Sequence, residues 1–248
     1  IDPVLEKLPL RFKEMNEPYY QFGKWIIDQT HKHALSYKPN TAYYESLGSN
    51  GIKQLKKTCD YLKKNYPDIP LIIDAKRGDI GHTNQQYAKF VFEYLGADSV
   101  TLQPYLGSEA LSEFFKYKDK GLILLCRTSN PGAGEFQDLL VDGVPLWKKV
   151  ATQITKEWQK KSAADLLLVV GATYPEELKV IREIAPKTTF LIPGIGSQGG
   201  NLEKTLLFGL NSNRSGVIIN SSRGIIYSSN PKEAVKELFE SINKIIKN

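Results

Sequence analysis

Leu71-Ile72-Ile73-Asp74-Ala75-Lys76-Arg77-Gly78-Asp79-Ile80 opens as an apolar run and closes on four charged side chains. A short continuous run of Leu and Ile reads as a parallel strand covered on both faces. Runs of the same kind recur at Ala34–Lys38, Ser99–Leu102, Leu122–Cys126, Leu166–Val170, Thr189–Ile192 and Gly216–Asn220. Amphipathic segments lie between them. One spans about Asn50 to Asn65, with Ile52, Leu55, Cys59 and Leu62 on one face. Another carries Tyr87, Phe90, Val91 and Tyr94 and stops at Gly96. The last opens on Asn230 as N-cap, Pro231 at N1 and Glu233 at N3, and places Val235, Leu238, Phe239, Ile242 and Ile246 on one stripe. Seven strands thus alternate with helices, and a closed βα barrel uses eight. Ile1-Asp2-Pro3 looks like the tail of a strand and its loop. The expectation is a single-domain α/β chain over residues 1–248, a (β/α)8 TIM barrel with strand 1 truncated or unrecorded. The rival, a doubly wound open sheet, is weakened because no G-x-G-x-x-G follows an early strand.

Composition narrows the function. The chain has 248 residues, 41% of them hydrophobic, enough for a packed core. Thirty-three Lys and Arg against 27 Asp and Glu give a net charge of +6. A mildly basic chain favours anionic partners. The lysines are dispersed, however, and the small clusters Lys56–Lys57 and Lys63–Lys64 fit a solvated helix face better than a nucleic-acid stripe. No apolar run is long enough for a membrane span, and no signal peptide is visible. Two cysteines make no disulfide framework, so the chain reads as reduced and cytoplasmic. Three histidines without a Cys cluster or an H-E-x-x-H spacing leave no metal site.

In a βα barrel the chemistry lies at the C-terminal strand ends. Strand alternation would put Asp74 and Lys76 on the same side, with Lys38 on the preceding strand and Asp79 in the loop. A single charge there is ordinarily a solvated one. Two lysines and two aspartates together form a neutral set that can be partly buried as pairs. The second element is Pro193-Gly194-Ile195-Gly196-Ser197-Gln198-Gly199-Gly200, whose glycines let backbone N–H groups approach an anion. Arg223, after the next strand, can clamp the same phosphate. The third is Thr128-Ser129-Asn130-Pro131-Gly132, suited to the polar edge of a planar ligand and almost equally to a plain turn. It opens a polar insertion, Thr128–Trp147, too long for a simple connection. His82 reads as a surface histidine.

These residues together resemble the orotidine 5′-phosphate decarboxylase family. Its signature Asp-x-Lys-x-x-Asp-Ile-x-x-Thr stands as Asp74, Lys76, Asp79, Ile80 and Thr83. The form Asp-Ala-Lys-Arg-Gly-Asp-Ile, Lys38-Pro39 and the Thr128–Gly132 stretch resemble one bacterial branch. The loop with Pro193, Gln198 and Gly199, and the late Arg223, match the family's phosphate site. Arg223 stands in Ser-Ser-Arg-Gly-Ile-Ile-Tyr, where many relatives have Gly-Arg before Ser-Ile-Tyr. Asp2-Pro3 is similar to the Asp-Pro after strand 1 that contacts the ribose. The resemblance implies conversion of orotidine 5′-phosphate to UMP without metal or organic cofactor. Lys76 would stabilise and protonate the C6 carbanion. Asp74 would face the departing carboxylate, and Lys38 would hold Asp74 and a ribose hydroxyl. Ser129 and Gln198 would hold the pyrimidine. It also implies a homodimer, with Asp79 and Thr83 contributed across the interface. Two other readings stay open: a Mg²⁺-dependent 3-keto-L-gulonate 6-phosphate decarboxylase sharing Asp-x-Lys-x-x-Asp, and a non-catalytic, basic RNA-binding barrel.

Overall fold

A computed structural model of the chain describes residues 1–195 and 199–247. Six parallel strands alternate with helices: β1 Ile72–Arg77, β2 Ser99–Leu102, β3 Gly121–Arg127, β6 Asp165–Val170, β7 Phe190–Pro193 and β8 Val217–Asn220. Their order in the sheet is β1-β2-β3-β6-β7-β8. That order never reverses, so the sheet has no switch point of the doubly wound kind. Each strand lies within two residues of its predicted bounds, because the runs of Val, Ile and Leu are read directly by burial. The Ala34–Lys38 run is the exception. It forms isolated parallel bridges, Tyr37 with Leu71 and Asn40 with Asp74. The carbonyls of Tyr37 and Pro39 accept from the N–H groups of Ile72 and Asp74, at 2.9 and 3.0 Å. Pro39 has no N–H to return, which keeps the ladder intermittent.

The residues group into two compact units. The first comprises 1–75, 86–101 and 222–241. Its core holds Phe22, Ile26, Ile27, Tyr44, Leu55, Leu62, Ile72 and Ile73, all at most 2% exposed. The helix Gly48–Asn65 buries Leu55, Cys59 and Leu62, the face its spacing predicts. Gln54, also buried, accepts from the backbone of Tyr19 and Tyr20 at 2.9 and 3.2 Å. It thereby satisfies free N–H groups in the first turn of the helix Pro18–Thr30. The lysine clusters are paired along this surface, Lys57 with Glu17, Lys56 with Asp60 and Lys63 with Asp98. Asn230 accepts from Glu233 N at 3.2 Å and starts the helix Pro231–Lys247 as expected.

The second unit comprises 76–85, 102–221 and 242–248. Leu122, Ile123, Leu124, Leu168, Val170, Phe190 and Ile192 form its interior. The Thr128–Trp147 insertion carries its own structure: a turn of helix at Gly134–Gln137 and a small antiparallel hairpin, β4 Leu140–Val141 with β5 Val144–Pro145. No described helix is long and apolar enough to cross a membrane. Burial pushes the thiols of Cys59 and Cys126 up to about 12, so neither is a thiolate at neutral pH.

Arg182 is a buried cation in this unit, held by carbonyl oxygens. It donates to Gly209, Ala185, Thr188 and Gly216 at 2.7–2.9 Å and stacks on Phe190 at 3.7 Å. Burial lowers its pKa to about 10, which still leaves it charged. It ties the C-terminal ends of two helices, Pro175–Ile184 and Leu202–Gly209, to the strand start at Gly216. Arg182→Ala strands these carbonyls. It is expected to cost about 3 kcal/mol or more in urea-denaturation stability, whereas Lys179→Ala on the same helix should cost under about 0.5 kcal/mol.

Candidate active site

Asp74 is the fixed point of the first unit's strand ends. It is 7% exposed, and both of its carboxylate oxygens are engaged. Lys38 Nζ donates to Oδ2 at 2.6 Å and Thr101 Oγ1 to Oδ1 at 2.8 Å. Lys38 is itself only 12% exposed along its side chain. A buried pair of this kind holds geometry more than it adds stability. The backbone N–H of Ile1 donates to the carbonyl of Lys38 at 2.7 Å, which brings Asp2 to the same edge. Asp2 Oδ2 accepts from Ser222 Oγ at 2.8 Å, while Oδ1 is buried and accepts no hydrogen bond from the described residues. Tyr227 braces the turn, donating to the Asp2 carbonyl at 2.9 Å and accepting from Val4 N at 2.8 Å. Arg223, next to Ser222, is exposed at the start of the short helix Arg223–Ile226. The structure therefore brings Lys38 to Asp74 directly and places Asp2 beside the segment that carries Arg223.

Lys76 opens the second unit. It is exposed and has φ +46°, a left-handed backbone that costs a non-glycine residue about 1 kcal/mol or more. This corrects the argument from strand period. The pleat does not continue regularly through Lys76, so a shared facing with Asp74 does not follow from alternation. The turn after it is braced by Gln103, which donates to Gly78 O at 3.0 Å and accepts from Tyr105 N at 2.9 Å. Gly78 is required there, since a Cβ would stand 2.6 Å from Gln103 Nε2. Asp79 is half-buried, and its N–H donates to Asn84 Oδ1 at 3.0 Å. Asn84 Nδ2 donates to the carbonyls of Asp79 and Ala110. Ile80 is 60% exposed, and Thr83 and His82 are exposed as well.

At the end of β3, Arg127 is 2% exposed, faces Asp138 at 3.2 Å and Glu177 at 3.5 Å, and stacks on Tyr174 at 3.8 Å. Ser129 packs on Gly171, whose added Cβ would lie 2.8 Å from the Ser129 Cβ. Pro193 ends β7, and Gly194 and Gly199 adopt φ +104° and +81°. Gly200 N donates back to Gly194 O at 3.0 Å, so the loop closes on itself. Gln198 lies outside the described residues. No group of three or more His, Cys, Asp or Glu able to hold a metal ion occurs among the described residues.

A model of the Orotidine 5′-phosphate decarboxylase / HUMPS family matches residues 21–238. The chain belongs to this family. It is 46% identical over 232 residues to the orotidine 5′-phosphate decarboxylase of Cellvibrio japonicus, covering 93% of this chain and 84% of that one. With the orotidine 5′-phosphate decarboxylase of Christiangramia forsetii it shares 47% over 229 residues, 92% of this chain and 83% of the relative. The structure of Leishmania donovani OMP decarboxylase superposes with a TM-score of 0.86 at 39% identity, over 92% of this chain and 88% of that one. The family's α/β barrel is therefore the fold of this chain, as the alternation of strands and helices predicts.

Sequence reasoning missed Thr101, Asn84 and Gln137. Thr101 bonds Asp74 and Asn84 bonds the Ala110 carbonyl, 27 and 26 residues away, while Gln137 bonds Thr128 and Arg127 nearby in sequence. Only Asn84, following Thr83 in the signature, had a motif to point at it. Asn84→Ala should lower stability by about 1–3 kcal/mol, since it leaves the buried Ala110 carbonyl unpaired. Hydrogen exchange at the Asp79 amide should accelerate in parallel.

Proposed function

We propose that the chain decarboxylates orotidine 5′-phosphate to uridine 5′-phosphate, closing the de novo route to pyrimidine nucleotides, with no metal or organic cofactor. The observation that carries this reading is the buried Lys38–Asp74–Thr101 clamp, set two residues before a strained, exposed Lys76 in a chain of this family. The whole chain serves as one barrel domain, since the family match runs through both compact units.

The reaction breaks the bond between C6 of the pyrimidine and its carboxylate. The electron pair stays on C6, carbon dioxide leaves, and C6 takes a proton. Lys76 supplies positive charge where the carbanion forms, then donates the proton. Asp74 faces the carboxylate that departs. It cannot swing away, because both of its oxygens are tethered. Two like charges about 4 Å apart at an effective dielectric near 20 repel by about 4 kcal/mol, and that stress disappears with carbon dioxide. Lys38 holds Asp74 and, with the open Oδ1 of Asp2, takes the ribose hydroxyls. Ser129 and Gln198 hold the base. Pro193, Gly199 and Arg223 line the phosphate end, where a glycine backbone that allows close approach and a guanidinium suit an anion. Asp79, Ile80 and Thr83 complete the site of a second copy in a homodimer. The exposure of Ile80, and of Thr83 in the first turn of the helix Gly81–Ala88 that carries Asn84, supports that placement. The reaction belongs to the cytoplasm.

Loss of orotate absorbance on mixing with orotidine 5′-phosphate tests the activity. Turnover unchanged by EDTA is expected. Turnover abolished by EDTA and restored by Mg²⁺ would favour the sugar-phosphate branch of the superfamily. Lys76→Ala should lower kcat by about a thousandfold or more with the fold retained. Lys76→Ala and Asp79→Ala subunits, each inactive alone, should regain about a quarter of the native activity when mixed, because mixed dimers hold one intact site. Failure of the mixture to recover would put Asp79 in its own subunit's site.

A further inference from the structure

From Glu135 to Val141 the insertion is exposed at every residue but one. Phe136 is 66% exposed and Leu139 53%. Gln137 alone turns inward, and both ends of its amide are engaged. Its Oε1 accepts from Thr128 N at 3.0 Å and from Arg127 Nη1 at 3.4 Å. Its Nε2 donates to Thr128 Oγ1 at 2.8 Å, and that hydroxyl donates onward to Asn130 Oδ1 at 2.7 Å. One side-chain amide therefore holds the Thr128 backbone directly and reaches the Asn130 side chain through the Thr128 hydroxyl. The far side is held by Gly171, whose N–H donates to Arg127 O at 2.8 Å and whose bare Cα leaves room for the Ser129 backbone. Ser129 thus sits between a floor and a wall, and it has no freedom to follow a misplaced ligand.

We propose that Gln137 is a positioning residue for base recognition: it fixes the Thr128–Asn130 turn so that Ser129 meets the edge of a uracil-type ring and disfavours a cytosine-type one. The inference rests on the assignment of Ser129 to the pyrimidine. A uracil edge presents a ring N–H donor beside a carbonyl acceptor, and a cytosine edge presents the reverse. A hydroxyl can rotate to either pattern. Discrimination therefore needs the turn's backbone and the neighbouring Asn130 amide held in one geometry, and the Gln137 network imposes that order. Arg127 contributes from below. Its guanidinium, paired with Asp138 and Glu177, anchors the residue after Gln137 to the helix Pro175–Ile184.

The test compares wild type, Gln137→Met, Gln137→Glu and Ser129→Ala by calorimetric titration with UMP, CMP and ribose 5-phosphate. Gln137→Met keeps the length of the side chain and removes its hydrogen bonds. It should weaken UMP about tenfold and leave CMP and ribose 5-phosphate within about twofold, narrowing the UMP-to-CMP preference. Gln137→Glu keeps an acceptor for Thr128 N and Arg127 and should fall between the two. A narrowed preference in Ser129→Ala with an unchanged one in Gln137→Met would overturn the role of Gln137 and leave Ser129 on the base. An unchanged preference in both would remove Ser129 from the base and the proposal with it. An equal loss for all three ligands in Gln137→Met would mean a merely structural residue and would also overturn it.

Discussion

The site depends on one constraint: an anion, Asp74, is fixed within a buried stretch of strand by bonds from Lys38 and Thr101. Lys38 and Thr101 come from different strand segments, so the carboxylate reports the alignment of its neighbours on both sides. Removing either partner would leave a buried carboxylate short of a bond, which is costly. The apolar run that precedes Asp74 supplies the rigidity. Ile72 and Ile73 are buried to within 2%, and their packing sets where the strand ends.

Rigidity on one side is matched by strain on the other. Two residues beyond Asp74 the backbone turns left-handed at Lys76, and the turn is then held from outside by Gln103, Gly78 and Asn84. None of these three needs to touch a ligand. Their work is to keep a long, mobile side chain rooted in one place, because a lysine carries its charge on a stem with several rotatable bonds. A site that stabilises developing charge gains most when its dipoles are placed before the reaction begins. The braces around Lys76 and Ser129 are side-chain amides, backed at Ser129 by the Arg127 guanidinium, and they hold their turns in place before any ligand arrives.

Legibility in the sequence follows the same division. Ile72-Ile73 and Leu122-Ile123-Leu124 were readable as strands because burial is a composition signal. Asp74, Lys76 and Asp79 were readable because three charges ending a buried run demand pairing. The facing of Lys76 was not readable, since its positive φ violates the alternation that a strand pattern assumes. Thr101 and Gln137 were not readable either. A buried Thr or an inward-turned Gln looks in sequence like any surface one, and the Asp74 partner of Thr101 lies 27 residues away. The proline of Lys38-Pro39 marked the break in that strand's ladder, though the run before it still read as continuous.

The two cations Lys38 and Arg182 show why burial of charge alone does not mark a site. Arg182 is about as enclosed as Asp74, at 8% exposed against 7%, yet the carbonyls it bonds at helix and strand termini are all neutral. Such a cation is fully satisfied and offers nothing to a ligand. Lys38 instead faces a carboxylate and stands beside Asp2, whose second oxygen is left without a hydrogen bond. The difference is one of unspent capacity. A buried charge with all its partners among backbone atoms belongs to the fold. A buried carboxylate with an oxygen that accepts no hydrogen bond keeps a bonding capacity that Arg182 has already used.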